Sequence, residues 1–164
     1  MISQIEKGRQ YAQEPHRIKF NALALTFQGD NAAYTITLDD GGWHCSCPGF
    51  QTYRICPHIM ALERILKPML KIPPVPYAPG QNVVSDVEKA HRYAQERDRI
   101  RFTAFNATVH GNNSEHTVTY DSGVWYSDST SFKLRGVSSH IIALERLLKG
   151  MVEPAPATAA LPLD

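Results

Sequence analysis

Cys45, Cys47, Cys56 and His58 are the residues whose types and spacing can do chemistry, and that chemistry is metal binding. The three cysteines of the chain all fall in one pattern, Cys45-Ser46-Cys47 followed by Cys56-Pro57-His58. Structural zinc takes four nitrogen or sulfur ligands at tetrahedral corners, so two close pairs brought from different segments suffice. Three thiolates and one imidazole leave no open position for water, which makes the site structural rather than hydrolytic. An odd number of cysteines within 12 residues is no disulfide framework. A redox pair more commonly reads Cys-x-x-Cys. One Zn2+ per chain is expected.

The same pattern is written twice. Adding 82 carries Trp43 to Trp125, Cys45 to Ser127, Cys47 to Ser129, Cys56 to Ser138 and His58 to His140. Residues 2–67 and 84–149 share 28 identities in 66 positions without a gap, the signature of a tandem duplication. A serine hydroxyl stays protonated at neutral pH and does not replace a thiolate, so Ser127, Ser129, Ser138 and His140 are expected to form a degenerate, metal-free site. Losing a structural zinc removes on the order of 10 kcal/mol. A unit of this size with one modest core is marginal alone, so the two copies are expected to pack with approximate twofold symmetry around a shared core.

The elements that must position these residues follow from periodicity. Each copy reads helix, antiparallel strands, finger, helix, an α+β class. Residues 3–14 carry apolar positions at helical spacing, with Ser3 and Glu6 in a capping-box arrangement that Ser85 and Glu88 repeat. Residues 17–27 and 99–109 alternate as half-buried strands, and 34–38 and 116–120 are second strands leading into tight turns at 39–42 and 121–123. Cys45 and Cys47 then lie two apart at a strand end, on the same side. Cys56 and His58 open the last helix, with Pro57 suited to its first turn, where unpaired amides favour a thiolate. The chain therefore divides into a zinc-bearing repeat (1–67), a proline-rich linker (68–83), a metal-free repeat (84–150) and a flexible tail (151–164). Five prolines give the linker an extended path of ~3 Å per residue, a semi-rigid spacer.

The segments Trp43-His44-Cys45-Ser46-Cys47-Pro48-Gly49-Phe50 and Ile55-Cys56-Pro57-His58-Ile59-Met60-Ala61 resemble the SWIM zinc finger, Cys-x-Cys then Cys-x-His. The resemblance covers roughly 34–67, and by the repeat it covers 116–149 as a degenerate copy. It implies zinc on Cys45, Cys47, Cys56 and His58, and a role in binding DNA or other proteins. Such fingers are similar to modules of chromatin ATPases, transposases, recombination factors and ubiquitin ligases.

Composition narrows the partner. At 164 residues, 43% hydrophobic and 20% charged, the chain is an ordinary folded protein. It has no apolar run near eighteen residues and no signal-peptide pattern, so no membrane association is expected and the cytoplasm is the expected compartment. Nucleic acid is the first partner class, with Arg17, Lys19, Arg54, Arg99, Arg101, Lys133 and Arg135 as contacts. Charge argues for modest, salt-sensitive affinity, since 2–67 has seven basic against six acidic residues and 84–149 nine against eight. A protein-interaction adaptor is the second class. Catalysis is not expected: His16, His44, His91, His110 and His116 show no ligand spacing, and neither a phosphate loop nor a nucleophile elbow is present.

Overall fold

The alternating segments form strands because one row of their side chains is apolar and finds helices to cover it. The computed structural model describes residues 3–77 and 83–155. Strands β1 (Ile18–Gln28), β2 (Ala33–Asp39) and β3 (Gly42–Cys45) come from the first half, and β4 (Ile100–His110), β5 (Glu115–Asp121) and β6 (Val124–Ser127) from the second. They make one antiparallel six-stranded sheet in the order β3-β2-β1-β4-β5-β6. β1 and β4 pair along their whole length, from Ile18 opposite Val109 to Phe27 opposite Ile100, so the halves are joined through the middle of the sheet. One face buries Phe20, Leu25, Phe27, Phe102 and Val109. On the other, Asn21 Nδ2 donates to Asn106 Oδ1 (2.7 Å) and Thr108 Oγ1 (3.0 Å) across the β1/β4 seam.

Six α-helices among the described residues complete the fold. α1 (Gln4–Ala12) begins where the Ser3 hydroxyl accepts from the Glu6 amide at 3.1 Å. The matching cap at Ser85 does not form. α4 (Val84–Tyr93) starts two residues earlier than the match to α1 would put it, with Val83 at its N-cap and Val83 O accepting from Val87 N–H, so Ser85 sits inside the first turn. The finger helices are α2 (Pro48–Tyr53) and α3 (Pro57–Leu66) in the first half, α5 (Thr130–Arg135) and α6 (Ser139–Leu147) in the second.

The helices cross over. α1 of the first half lies on α6 of the second, and α4 of the second lies on α3 of the first. The fit of α1 is close: a Cβ added at Gly8 would meet Ile142 Cγ2 at 2.4 Å. A single hydrophobic core runs through both halves, from Trp43 and Leu62 to Trp125 and Leu144.

The linker does not stand away from the body over its described part. Met69 is buried, and the Val75 amide donates to Glu63 Oε2 at 2.7 Å. Proline excludes regular ladders but leaves apolar side chains free to dock, and this segment docks. The tail expected to be flexible is likewise packed over its first residues. Met151, Val152 and Ala155 are buried, Met151 O accepts from Phe102 N–H, and Glu145 Oε2 accepts from Ala155 N–H. Glu63 and Glu145 thus anchor the chain after each finger helix in the same way. Positions 78–82 of the linker and 156–164 of the tail lie outside the described residues.

Candidate metal centre

The first finger is built by two helix starts. β3 ends at Cys45, opposite Ile36. Cys47 is the N-cap of α2, its Sγ accepting from the Phe50 amide at 3.4 Å, and Pro48 takes the first helical position. Cys56 is the N-cap of α3, with Pro57 next and His58 in the first turn. All four side chains are buried. Their ligand atoms lie within 4.8 Å of one another, with Cys45 Sγ 3.9 Å from His58 Nδ1.

That spacing fits zinc. With Zn–S near 2.3 Å and Zn–N near 2.0 Å, tetrahedral ligand edges are roughly 3.6–3.8 Å, so Cys45 and His58 are already within a few tenths of an ångström and no pair has to close by more than about 1 Å. The thiols already share protons unevenly. Bonds from Cys56 and His58 hold Cys45 far below an ordinary thiol's pKa, whereas Cys56, as donor to Cys45 and buried, is pushed up. A cluster of three thiols and an imidazole that favours one thiolate before any cation is present is a donor set for a soft divalent ion. Zinc here would cross-link the end of β3, the start of α2 and the start of α3.

Residues 34–67 match the SWIM zinc finger. No curated protein and no solved structure matches the chain. The SWIM match contains the whole ligand set, and the four buried Cys and His side chains fit one structural zinc ion.

Outside the SWIM match, Ser127, Ser129, Ser138 and His140 are all buried at the corresponding positions. Their hydrogen bonds explain why serine stands there. Ser129 is the N-cap of α5, accepting from Phe132 N–H, and Ser138 is the N-cap of α6, accepting from His140 N–H (3.1 Å) and Ile141 N–H (3.4 Å). Ser127 Oγ donates to Ser129 Oγ and accepts from its amide. Serine is among the strongest N-caps, so each position keeps its helix start without a metal. Ser138 Oγ lies 3.3 Å from His140 Nδ1, the nitrogen that His58 turns toward Cys45.

Each finger histidine is held by an aromatic from the opposite half. Tyr93 stacks on His58 with 5.7 Å between centroids, and Tyr11 stacks on His140 at 5.8 Å. Periodicity places Tyr11 on an apolar helix face but gives no sign that its partner is the histidine of the other half.

The basic residues fare differently from one another. Arg17 donates to Glu14, His110 O and Asn112 Oδ1 and covers the Tyr11 ring; Arg99 donates to Glu96, Gln28 O and Asp30 Oδ1 and covers the Tyr93 ring. Lys19 Nζ donates to Pro68 O, and Arg101 pairs with Glu153. Arg54, Lys133 and Arg135 are exposed. Arg54 ends α2 in the left-handed region (φ 61°), where Gly136 ends α5 at φ 70°.

One constellation escaped sequence reasoning. His116 Nε2 is 2.9 Å from Ser114 Oγ, and its Nδ1 is 3.1 Å from Asp128 Oδ1. Its role reads as structural, because Asp128 Oδ1 also accepts from Thr117 N–H, as Ser46 Oγ accepts from Thr35 N–H at the corresponding place. No helix among the described residues is long and apolar enough to cross a membrane.

Proposed function

We propose that this protein is a small, non-catalytic accessory factor made of a duplicated SWIM unit with twofold-related halves, one clamped by zinc and one by serine caps, and that it acts as a protein-interaction adaptor. The carrying observation is the fate of the basic residues. Arg17, Lys19, Arg99 and Arg101 spend their donors on backbone carbonyls and carboxylates of the protein itself. Phosphate binding draws on a surplus of uncommitted cations, and the four that the strands would have presented together are committed within the protein. The thiolate ligand set supports a reducing compartment, the cytoplasm.

A nucleic-acid role is the second reading, favoured by the SWIM match and by exposed Arg54, Lys133 and Arg135. A mobility-shift titration with single- and double-stranded DNA at two salt concentrations separates the two. The adaptor reading expects no shift even at low salt. A shift that fades steeply as salt rises would replace it with the nucleic-acid reading.

A further inference from the structure

Position-by-position comparison of the two fingers shows where the metal-free half gained something. Gly42, His44, Gln51 and Thr52 of the first finger become Val124, Tyr126, Lys133 and Leu134 in the second. Leu134 is 77% exposed and Val124 70%, the two largest exposures of any big apolar side chain described, and Tyr126 is 46% exposed. Val124 and Tyr126 are two apart on β6 and share one side of it. Tyr126 meets Phe132 of α5 edge to face at 5.5 Å, which ties the strand to the helix that carries Lys133, Leu134 and Arg135. In the first finger the residue matching Phe132, Phe50, is buried instead. Apolar exposure at adjacent elements has no folding benefit and marks an interaction site when it is contiguous.

We infer that the β6/α5 face of the metal-free half is the docking surface of the adaptor, and that its occupant is an acidic segment of a partner protein carrying an aromatic or aliphatic anchor. The inference rests on the adaptor reading above. Charge complementarity selects the occupant. Lys133 and Arg135 are exposed on either side of Leu134, while Asp128, the one carboxylate between Val124 and Arg135 in the chain, is engaged by His116 and Thr117 N–H, and Asp121, opposite Val124, accepts from Ser122 Oγ. Tyr126 alone could stack on a base, but aliphatic Val124 and Leu134 beside it give successive bases no platform and add contact area for a protein, so a peptide fits this face better than a nucleic acid. β6 also ends the sheet order, so its outer side carries no strand among the described residues and is open to an added one.

Display of random short peptides on the zinc-loaded full chain tests this, with Tyr126→Ser/Leu134→Ser as counter-bait. Enriched peptides should be net acidic, carry at least one large apolar residue, and bind the counter-bait about tenfold or more weakly. The charge-reversed Lys133→Glu/Arg135→Glu chain, which leaves the apolar cluster intact, should lose binding to the same peptides. Both variants change exposed side chains, and retention of one zinc per chain verifies that they fold. Peptides that bind the counter-bait equally well would overturn the surface assignment and leave the adaptor reading standing, as would failure to enrich any. Binding of a fluorescent oligo-dT that is lost in both variants would overturn the surface and the adaptor reading together.

Discussion

Tyr93 from the second half lies flat on the imidazole of His58 in the first, 14° from parallel, and its hydroxyl accepts from the Asp30 amide at 3.2 Å. The metal centre is therefore completed by a residue from outside the SWIM match. Phe27 and Tyr34 enclose the remaining sides of the ring. Groups around a ligating histidine fix its orientation, and removing them typically costs 10–100-fold in metal affinity. Tyr93→Ala should weaken zinc binding within that range and destabilise the fold by about 3 kcal/mol, the usual cost of deleting a buried aromatic. Tyr93→Phe should keep the zinc affinity and lose about 1 kcal/mol with the hydroxyl bond. Competition with a chromophoric chelator reads the affinity, and an unchanged value in Tyr93→Ala would show the two halves to be uncoupled.

Metal removal should propagate beyond the finger. A structural zinc contributes on the order of 10 kcal/mol, comparable to a whole domain's stability. Because α4 rests on α3 and the core is continuous, the second half has no independent refuge. After chelation, amides of β5 and β6 should exchange as fast as those of β2 and β3. Persistent protection of β5 and β6 alone would refute the shared unit.

Gly8 and Ala90 occupy matching places on α1 and α4, and what they face explains the difference. Gly8 is pressed on β-branched Ile142, whereas Ala90 lines a cleft with unbranched Met60. In an exposed helix Gly→Ala stabilises by roughly 1 kcal/mol. Here a Cβ 2.4 Å from Ile142 Cγ2 must push a branched side chain out of a packed core, which costs about 1–3 kcal/mol. Gly8→Ala should therefore lower the melting temperature, and Gly8→Ala/Ile142→Met, which copies the other pairing, should restore it.

Which of these features could be read without the structure follows from their range in the chain. The ligands Cys45, Cys47, Cys56 and His58 were legible because metal chemistry imposes residue types at short spacings. The strands were legible because one-sided burial leaves a period of two. α2 and α5, six residues each, are too short to show a helical period; Pro48 and Thr130 after their caps were the available signals. The crossing of α1 onto α6 was not legible at all, since an apolar stripe specifies that a helix packs but not on which half. Arg17 and Arg99 read from the sequence as free nucleic-acid contacts because their acceptors, His110 O and Gln28 O, come from the opposite half.

His140 gives the fold a pH dependence independent of the metal ligands. Burial, with the neighbouring His116 adding to it, lowers its pKa from the ordinary 6.5 to about 4, and it is only 7% exposed. The folded state thus holds fewer protons than the unfolded one in that window. The stability of the neutral ring is fully present above about 6.5 and is lost as pH falls toward 4. Between pH 6.5 and 5 the loss should be about 2 kcal/mol relative to His140→Gln, which does not titrate. Nitrogen shifts of the His140 ring should report a neutral imidazole at pH 5, and a protonated ring there would contradict the burial argument.

The serines of the second half should accept a metal if their sulfurs are returned. Cys47 and Cys56 are N-caps of α2 and α3, and Ser129 and Ser138 are N-caps of α5 and α6, so the backbone at both helix starts already suits cysteine. His140 turns Nδ1 toward Ser138 as His58 turns Nδ1 toward Cys45, and Tyr11 holds it as Tyr93 holds His58. What is missing is charge. Three neutral hydroxyls cannot repay the dehydration of a divalent ion, whereas three thiolates can. Ser127→Cys/Ser129→Cys/Ser138→Cys should raise bound zinc from one to two per chain and raise thermal stability in the presence of zinc. Without zinc the same variant should be less stable than the parent, because thiols are weaker caps than hydroxyls. A stoichiometry that stays at one would mean that the second finger has moved away from metal geometry in its backbone and not only in its side chains.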